Sequence, residues 1–326
     1  MSIKTYAVAI RDVIDQEMAK DSRVFVMGED IAEQGGIFGC TRGLLDKYGK
    51  ERIKNTPISE AGIVGLGVGA ACAGMRPIVE LMYMDFTFCA MDQIINQAAK
   101  TRYIFGGHGT VPLVIRGQQG VGRGNAATHS QSLEAIFMHF PGLKVAMPST
   151  PAEAAGLLRT AIRDNNPVMF FEHKALYATK GEVPDDPEFA IPFGKADIKR
   201  EGKDVTIVGT HLYVGKALQA AEILAKEGIS CEVIDPRTIV PFDTETVVNS
   251  VKKTGRLVTV HEATKTLGFG TEVVAQVVEE AFPYLDAAPV RLGAKQCPLP
   301  FNLTLENAVV PQVEDIVAAV KKTLYL

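Results

Sequence analysis

TPISEAGIVGLGVGAACAGMRPIVE, residues 56–80, sets one acid, Glu60, at the mouth of an apolar, small-residue helix that leads into a strand. The pattern predicts a helix over residues 63–74 and a strand over residues 78–82, the alternation from which α/β sheets are built. Ser59 stands where its hydroxyl can accept a bond from a first-turn amide. Each glycine inside a helix costs about 0.8–1.0 kcal/mol relative to alanine. The composition therefore suits a place where another backbone or a flat ligand must come close. An acid held there, half out of water, can hold or give a proton. Helix-dipole complementarity accounts for the same acid, because a first-turn carboxylate gains about 0.3–1 kcal/mol. A capping box is not available, since Gly62 occupies the position that needs Glu or Gln.

Outward from this stretch, apolar runs alternate with helical patterns. Strands are expected at residues 24–27, 78–82, 113–115 and 168–171, with helices at 6–20, 63–74, 91–102 and 152–163. Continuous apolar strands between helices imply a mostly parallel sheet covered on both faces. The run KGEVPDDPEFAIPFG, residues 180–194, carries three prolines and clustered acids and reads as an exposed linker. After it come strands at 205–208, 231–234 and 257–261, with helices at 215–227, 244–253, 271–282 and 313–323. The expected organisation is a first domain over 1–180, a linker over 181–194 and a smaller second α/β domain over 195–326, both doubly wound.

The 326 residues are 47% apolar, enough for two cores, and the net charge is −4. No basic block points to nucleic acid. The five cysteines (Cys40, Cys72, Cys89, Cys231, Cys297) are scattered without a C-x-x-C, which argues against a disulfide framework or structural zinc. The N-terminus carries acids by Asp12 and an amphipathic helical face rather than a leader pattern. The longest apolar run, residues 61–75, is too short and glycine-rich to span a membrane. A cytoplasmic chain is expected; a processed organellar chain reads the same way.

Two glycine-rich runs invite a nucleotide-binding reading. Gly65, Gly67 and Gly69 lack the dinucleotide spacing and have no strand directly before them, and residues 117–124 (GQQGVGRG) lack the Gly-Lys-Ser/Thr of a P-loop. His129 follows in a polar, loop-like stretch. Its imidazole suits proton transfer, but on these residues alone a surface or capping histidine is the preferred reading. His261, beside Glu262 at a strand end, is a lesser site candidate.

Residues 56–80 resemble the cofactor-activating segment of the beta subunits of 2-oxo acid dehydrogenase first components, which use thiamine diphosphate. Three further runs agree in the same order: ELMYMDFTF (80–88), ATHSQS (127–132) with PGLKV (141–145), and AIRDNNP (161–167). The resemblance covers essentially the whole chain. ELMYMDF, NQAAK and FFEHKALY are most similar to acetoin dehydrogenase, with pyruvate dehydrogenase a close second.

The resemblance implies a pyrimidine-side thiamine-binding domain followed by a transketolase C-terminal-like domain. It gives Glu60 the role of facing the aminopyrimidine ring nitrogen, helped by burial, which raises a carboxyl's pKa. Phe86 becomes the stacking aromatic and Met82 a neighbouring pocket residue, although two core residues after a strand read alike. His129 becomes the proton donor in reductive acyl transfer to a lipoyl sulfur. The oxygens of Leu113, Ala161, Asp164 and Asn166 become ligands of a structural potassium ion; a helix end closed by Asn-Asn-Pro explains the same residues. No Gly-Asp-Gly accompanies Asn165-Asn166. The diphosphate and its magnesium are therefore expected on an alpha subunit, in an α2β2 heterotetramer that acts on acetoin, pyruvate or a branched-chain 2-oxo acid and serves a lipoyl-bearing acyltransferase. Two rival classes stay open: a non-catalytic scaffold docking the acyltransferase core, and a nicotinamide dehydrogenase of two α/β domains.

Overall fold

The computed structural model describes residues 1–326, which fall into two compact units. The first comprises Met1–Gln119 with Ile136–Phe193, and the second Gly120–Ala135 with Gly194–Leu326. The segment 120–135, expected within the first domain, thus belongs to the second unit.

In the first unit, six parallel strands lie side by side in the order Lys144–Ala146, Val168–His173, Val114–Gln119, Arg76–Leu81, Val24–Gly28 and Ile53–Asn55. Val24–Gly28, Val114–Gln119 and Val168–His173 are buried at every residue. The helices Tyr6–Lys20 and Pro151–Arg163 pack on one another, and Glu60–Cys72 packs on Arg76–Leu81. Thr5 and Thr150 cap the first two, each accepting an amide bond with its side chain. Ser59 takes the cap position of Glu60–Cys72 but makes no such bond. Its backbone (φ −162°, ψ 84°) turns the hydroxyl over Gly62, so the expected side-chain cap is replaced by close packing. Gly65, Gly67 and Gly69 lie inside this helix rather than in a strand-to-helix turn, which removes them from phosphate binding. At Gly67 a β-carbon would meet Val79 Cγ2 at 2.8 Å and Leu113 Cδ1 at 3.1 Å, so the glycine lets the helix lie directly on the sheet.

The expected helix over 91–102 is instead a wide π turn Gln93–Ala98 followed by a short α-helix Ala99–Ile104, and a 3₁₀ segment Met84–Ala90 precedes them. The stretch read as a linker is mostly exposed but pinned. Lys180–Val183 pairs antiparallel with Ser2–Thr5. Arg159 donates to the Phe189 carbonyl at 2.7 Å and Thr160 to that of Ile191 at 2.7 Å.

In the second unit the order is Val290–Ala294, Leu257–Thr264, Val205–Gly209, Cys231–Asp235 and Asp197–Arg200, with only the last antiparallel. Helices Leu212–Ala225 and Val313–Thr323 pack together over Ile207, Val233, Val258 and Val260. Thr206, one residue along the strand and so on the other face, bonds Ser250 at 2.6 Å and Thr254 at 2.7 Å beneath the helix Thr244–Thr254. No helix is long and apolar enough to cross a membrane. All five cysteines are free thiols, with Cys40 and Cys231 buried.

Candidate active site

In a parallel sheet, ligands gather outside the carboxyl ends of the strands, where the strand order reverses direction. In the first unit that point lies between Val24–Gly28 and Arg76–Leu81, because the chain leaves Val24–Gly28 for Ile53–Asn55 on one side and returns to Arg76–Leu81 on the other. Glu29 and Met82 are the residues immediately beyond those two strand ends. Gly28 is required there: a β-carbon would lie 2.5 Å from the Glu80 carbonyl oxygen. Thr56 N–H donates to the Gly28 carbonyl at 3.0 Å, and this fixes the start of the segment that delivers Glu60.

Glu60 is the first residue of its helix and is 9% exposed. No hydrogen bond or ion pair within the chain takes up its carboxylate. Glu29, which the sequence reading missed, is buried beside it, with one carboxyl oxygen unbonded. Burial pushes the Glu29 carboxyl above its ordinary range, and the charges of Glu60 and then Asp30 push the same way. The available signal was an acid directly following a fully apolar strand.

Met82 and Phe86 follow the neighbouring strand, both half-buried. The Met82 carbonyl accepts from Gln118 at 2.8 Å, and Phe86 meets Tyr83 edge-on at 5.9 Å between centroids. The Met84–Ala90 segment packs against the helix of Glu60. Three of the expected residues, Glu60, Met82 and Phe86, thus share one edge of one sheet.

Beneath this edge, Arg116 is buried between two acids. It forms a double bond pair with Glu172, at 2.7 and 2.6 Å, and pairs with Glu80. Tyr177 donates to Glu172 at 2.5 Å, and Phe38 stacks on Tyr177 at 4.1 Å. Burial alone would lower the Arg116 pKa, but Glu172 and then Glu80 raise it well above normal. Burial raises the Glu80 carboxyl, against the pull of Arg116.

The expected potassium ligands lie at the opposite edge, at the amino ends of strands Val114–Gln119 and Val168–His173. There Asp164 pairs with Lys144 and accepts from the Asn166 amide at 2.8 Å and its side chain at 2.9 Å. Burial raises the Asp164 carboxyl, but Lys144 and Asn166 outweigh it and hold the group below its usual range. The carbonyls of Leu113 and Ala161 accept from Val168 and Asp164. The set fits a cation poorly, because Lys144 already neutralises its one carboxylate.

His129 belongs to the second unit, half-buried, with its Nδ1 2.9 Å from the Thr128 hydroxyl. The loop before it is not a free surface turn. Val121 and Leu133 are buried, and Gly120, Gly122 and Gly124 take left-handed φ values of 92°, 108° and 62°. His261 is buried, its Nδ1 lies 3.0 Å from the Ala263 carbonyl, and burial lowers its pKa to about 4, so it stays neutral within the packing of Gly268, Gly270 and Gly293. That environment gives it no exposed role.

Residues 3–180 match the family model described as transketolase, pyrimidine binding domain, and residues 194–316 the one described as transketolase, C-terminal domain. The chain is 49% identical over 329 residues to the mitochondrial pyruvate dehydrogenase E1 component subunit beta of Dictyostelium discoideum, covering 98% of this chain and 92% of that one. It is also 49% identical over 334 residues to the acetoin:2,6-dichlorophenolindophenol oxidoreductase subunit beta of Cupriavidus necator, covering 99% and 97%.

The chain belongs to the beta-subunit family of 2-oxo acid and acetoin dehydrogenase first components.

Among solved structures, a split gene transketolase, described as an inactive beta4 tetramer, is similar at a TM-score of 0.80 and 25% identity, covering 98% of each chain. For this beta subunit the resemblance seen in the sequence therefore holds, as do its two α/β domains. The nicotinamide reading is overturned by the two transketolase-type domain matches and by the helical placement of Gly65, Gly67 and Gly69.

Proposed function

We propose that this beta subunit holds the aminopyrimidine side of thiamine diphosphate at the edge carrying Glu60, and works only with an alpha subunit in an α2β2 assembly. The observation that carries the reading is Glu60 itself, buried at a topological switch point with no partner inside the chain. With no donor inside the chain, that carboxylate is open to one from a ligand. The cofactor, when bound, supplies the carbanion chemistry that cleaves a carbon–carbon bond next to a carbonyl. Glu60 would hold the proton at the aminopyrimidine ring nitrogen, and the neighbouring Glu29 discourages a second negative charge beside it. Phe86 and Met82 would supply the apolar wall, and offset stacking on an aromatic contributes about 0.5–1.5 kcal/mol.

Dependence on an alpha subunit is supported by the missing Gly-Asp-Gly and by the solved transketolase chain, whose beta-only tetramer is described as inactive. Magnesium would then sit on the alpha subunit. For the substrate, acetoin stands first and pyruvate second, with branched-chain 2-oxo acids behind them; the relatives named for the first two are equally similar, at 49%. The two-carbon unit would pass to a lipoyl group, with His129 giving the proton to sulfur.

The test is calorimetric titration of thiamine diphosphate with magnesium into the chain alone and into the chain purified with its alpha subunit. Binding only in the pair supports the shared site; equally tight binding to the lone chain overturns it. Glu60→Gln in the pair should abolish most turnover with acetoin and with pyruvate. Full retained activity would leave the chain a scaffold.

A further inference from the structure

The loop that carries His129 is gripped by two carboxylates. Glu262, at the end of strand Leu257–Thr264, is 6% exposed, and its Oε1 accepts from the Val121 N–H at 2.7 Å and from the Ser132 hydroxyl at 3.1 Å. Glu306, in the helix Leu303–Val309, is fully buried, and its Oε2 accepts from the Gly122 N–H at 3.0 Å. Consecutive amides are thus held by acids from two different elements, one grip before His129 and one, through Ser132, after it. The loop closes on itself as Gly120 N–H donates to the Gln131 carbonyl at 3.3 Å. Gly124 is pressed against the Phe301 carbonyl, where a β-carbon would sit at 2.6 Å.

Amide-to-carboxylate bonds are about twice as strong as neutral ones, so this arrangement fixes position rather than merely filling space. Glu262 also faces Tyr213, whose hydroxyl is pushed up first by burial and then by the Glu262 charge. Burying two carboxylates against a glycine-rich loop is an expensive way to close a surface turn and a sound way to hold one in a single place.

We propose that Glu262 and Glu306 are positioning residues that present His129 for reductive acyl transfer. The inference rests on the role given to His129 above. In that transfer the two-carbon unit loses two electrons as the lipoyl disulfide is reduced. The S–S bond breaks, one sulfur bonds the carbon and the other takes the proton that the imidazolium gives up, while that carbon releases its hydroxyl proton and its bond to the carrier as it becomes the acyl carbonyl. A displacement of about 1 Å at such a group can cost on the order of 10²-fold in rate.

The experiment compares two turnover assays on the alpha–beta assembly, one with a lipoylated domain as acceptor and one with dichlorophenolindophenol, a dye that takes the electrons without reductive acylation. Glu262→Ala and Glu306→Ala should lower the lipoyl-linked kcat on the order of 10²-fold, while the dye-linked rate falls far less. Glu306→Gln, whose amide oxygen can still accept from Gly122, should recover much of the loss. Amide hydrogen exchange at Val121 and Gly122 should accelerate in the alanine variants and not in Glu306→Gln. Equal losses in both assays, or unchanged exchange, would overturn the positioning role. His129→Ala separates the two layers. If it leaves the lipoyl-linked rate intact, the role of His129 and the proposal fail together. If it abolishes that rate while both glutamate variants keep it, the positioning role alone fails.

Discussion

Gly67 and Gly69 stand two residues apart in the same helix and should respond to alanine with opposite signs. Alanine at either site gains about 0.8–1.0 kcal/mol of helix propensity. At Gly69 the new methyl meets nothing within 4 Å, so the gain survives and the chain becomes about 1 kcal/mol more stable. At Gly67 the methyl runs into Val79 Cγ2 at 2.8 Å and Leu113 Cδ1 at 3.1 Å. Both obstacles are core side chains on strands or at a strand's start, so relief requires the helix to rise off the sheet. Overpacking of that kind costs about 1–3 kcal/mol. Propensity cancels between the two variants, so their difference is the overpacking cost itself, about 2 kcal/mol with Gly69→Ala the more stable. With a urea dependence of about 1–3 kcal/mol per molar, the midpoints should separate by roughly 1 M. The assay is urea unfolding of the purified chain followed by far-ultraviolet circular dichroism, with both variants and the parent in the same buffer. Coincident midpoints, or Gly67→Ala above Gly69→Ala, would refute the close seating of this helix, and with it the geometry that delivers Glu60 to the strand ends.

The carboxyl of Glu29 takes up a proton more readily in the folded chain than in the unfolded one, where glutamate titrates near 4.3. The parent is therefore favoured in its protonated form and loses that advantage as pH rises through the raised value. Glu29→Gln should raise the melting temperature at pH 7, with the difference vanishing toward about pH 4; a pH-independent difference would remove the acid pair from the explanation. Arg116→Met strands Glu80 and Glu172 without their cation and should cost about 3–5 kcal/mol, read from the urea midpoint. A loss below about 1 kcal/mol, the scale of an exposed pair, would mean the three charges are not held together out of water. Thr150→Ala removes a side-chain cap and should cost about 1 kcal/mol, while Ser59→Ala, which removes none, should leave the melting temperature within error; equal losses would show that Ser59 caps its helix in solution.

The parts of the fold that could be read from the chain are those stabilised by their own residues. Tyr6–Lys20 and Val313–Thr323 were expected end to end because each carries an amphipathic face. The strand at Val24–Gly28 was legible as a continuous apolar run. Ile53–Asn55 and Lys144–Ala146 were not, because three residues carry no period; their neighbours in the sheet make them strands. Glu60 was legible only because its whole segment resembles a family. Glu29 was missed for a different reason: the acids Glu29 and Asp30 after a strand look like a solubilising turn until the strand order shows that the chain reverses direction there.

The same limit explains the pair His261 and Glu262. On sequence, the histidine is the one that looks chemical, since its side chain titrates near neutrality. The fold buries it among glycines and keeps it neutral, and its plain neighbour carries the contact instead. Glu262 reaches Val121 across 141 positions of chain and Glu306 reaches Gly122 across 184. Nothing local in LENAV or in VHEAT encodes a grip on a loop so far upstream. What does encode it is the register of Leu257–Thr264 beside Val205–Gly209, which brings the Glu262 end of one strand level with the start of the helix Leu212–Ala225 that carries Tyr213. A loop that must hold a proton donor still is best held by groups that the core itself fixes, and such groups are by construction remote in sequence.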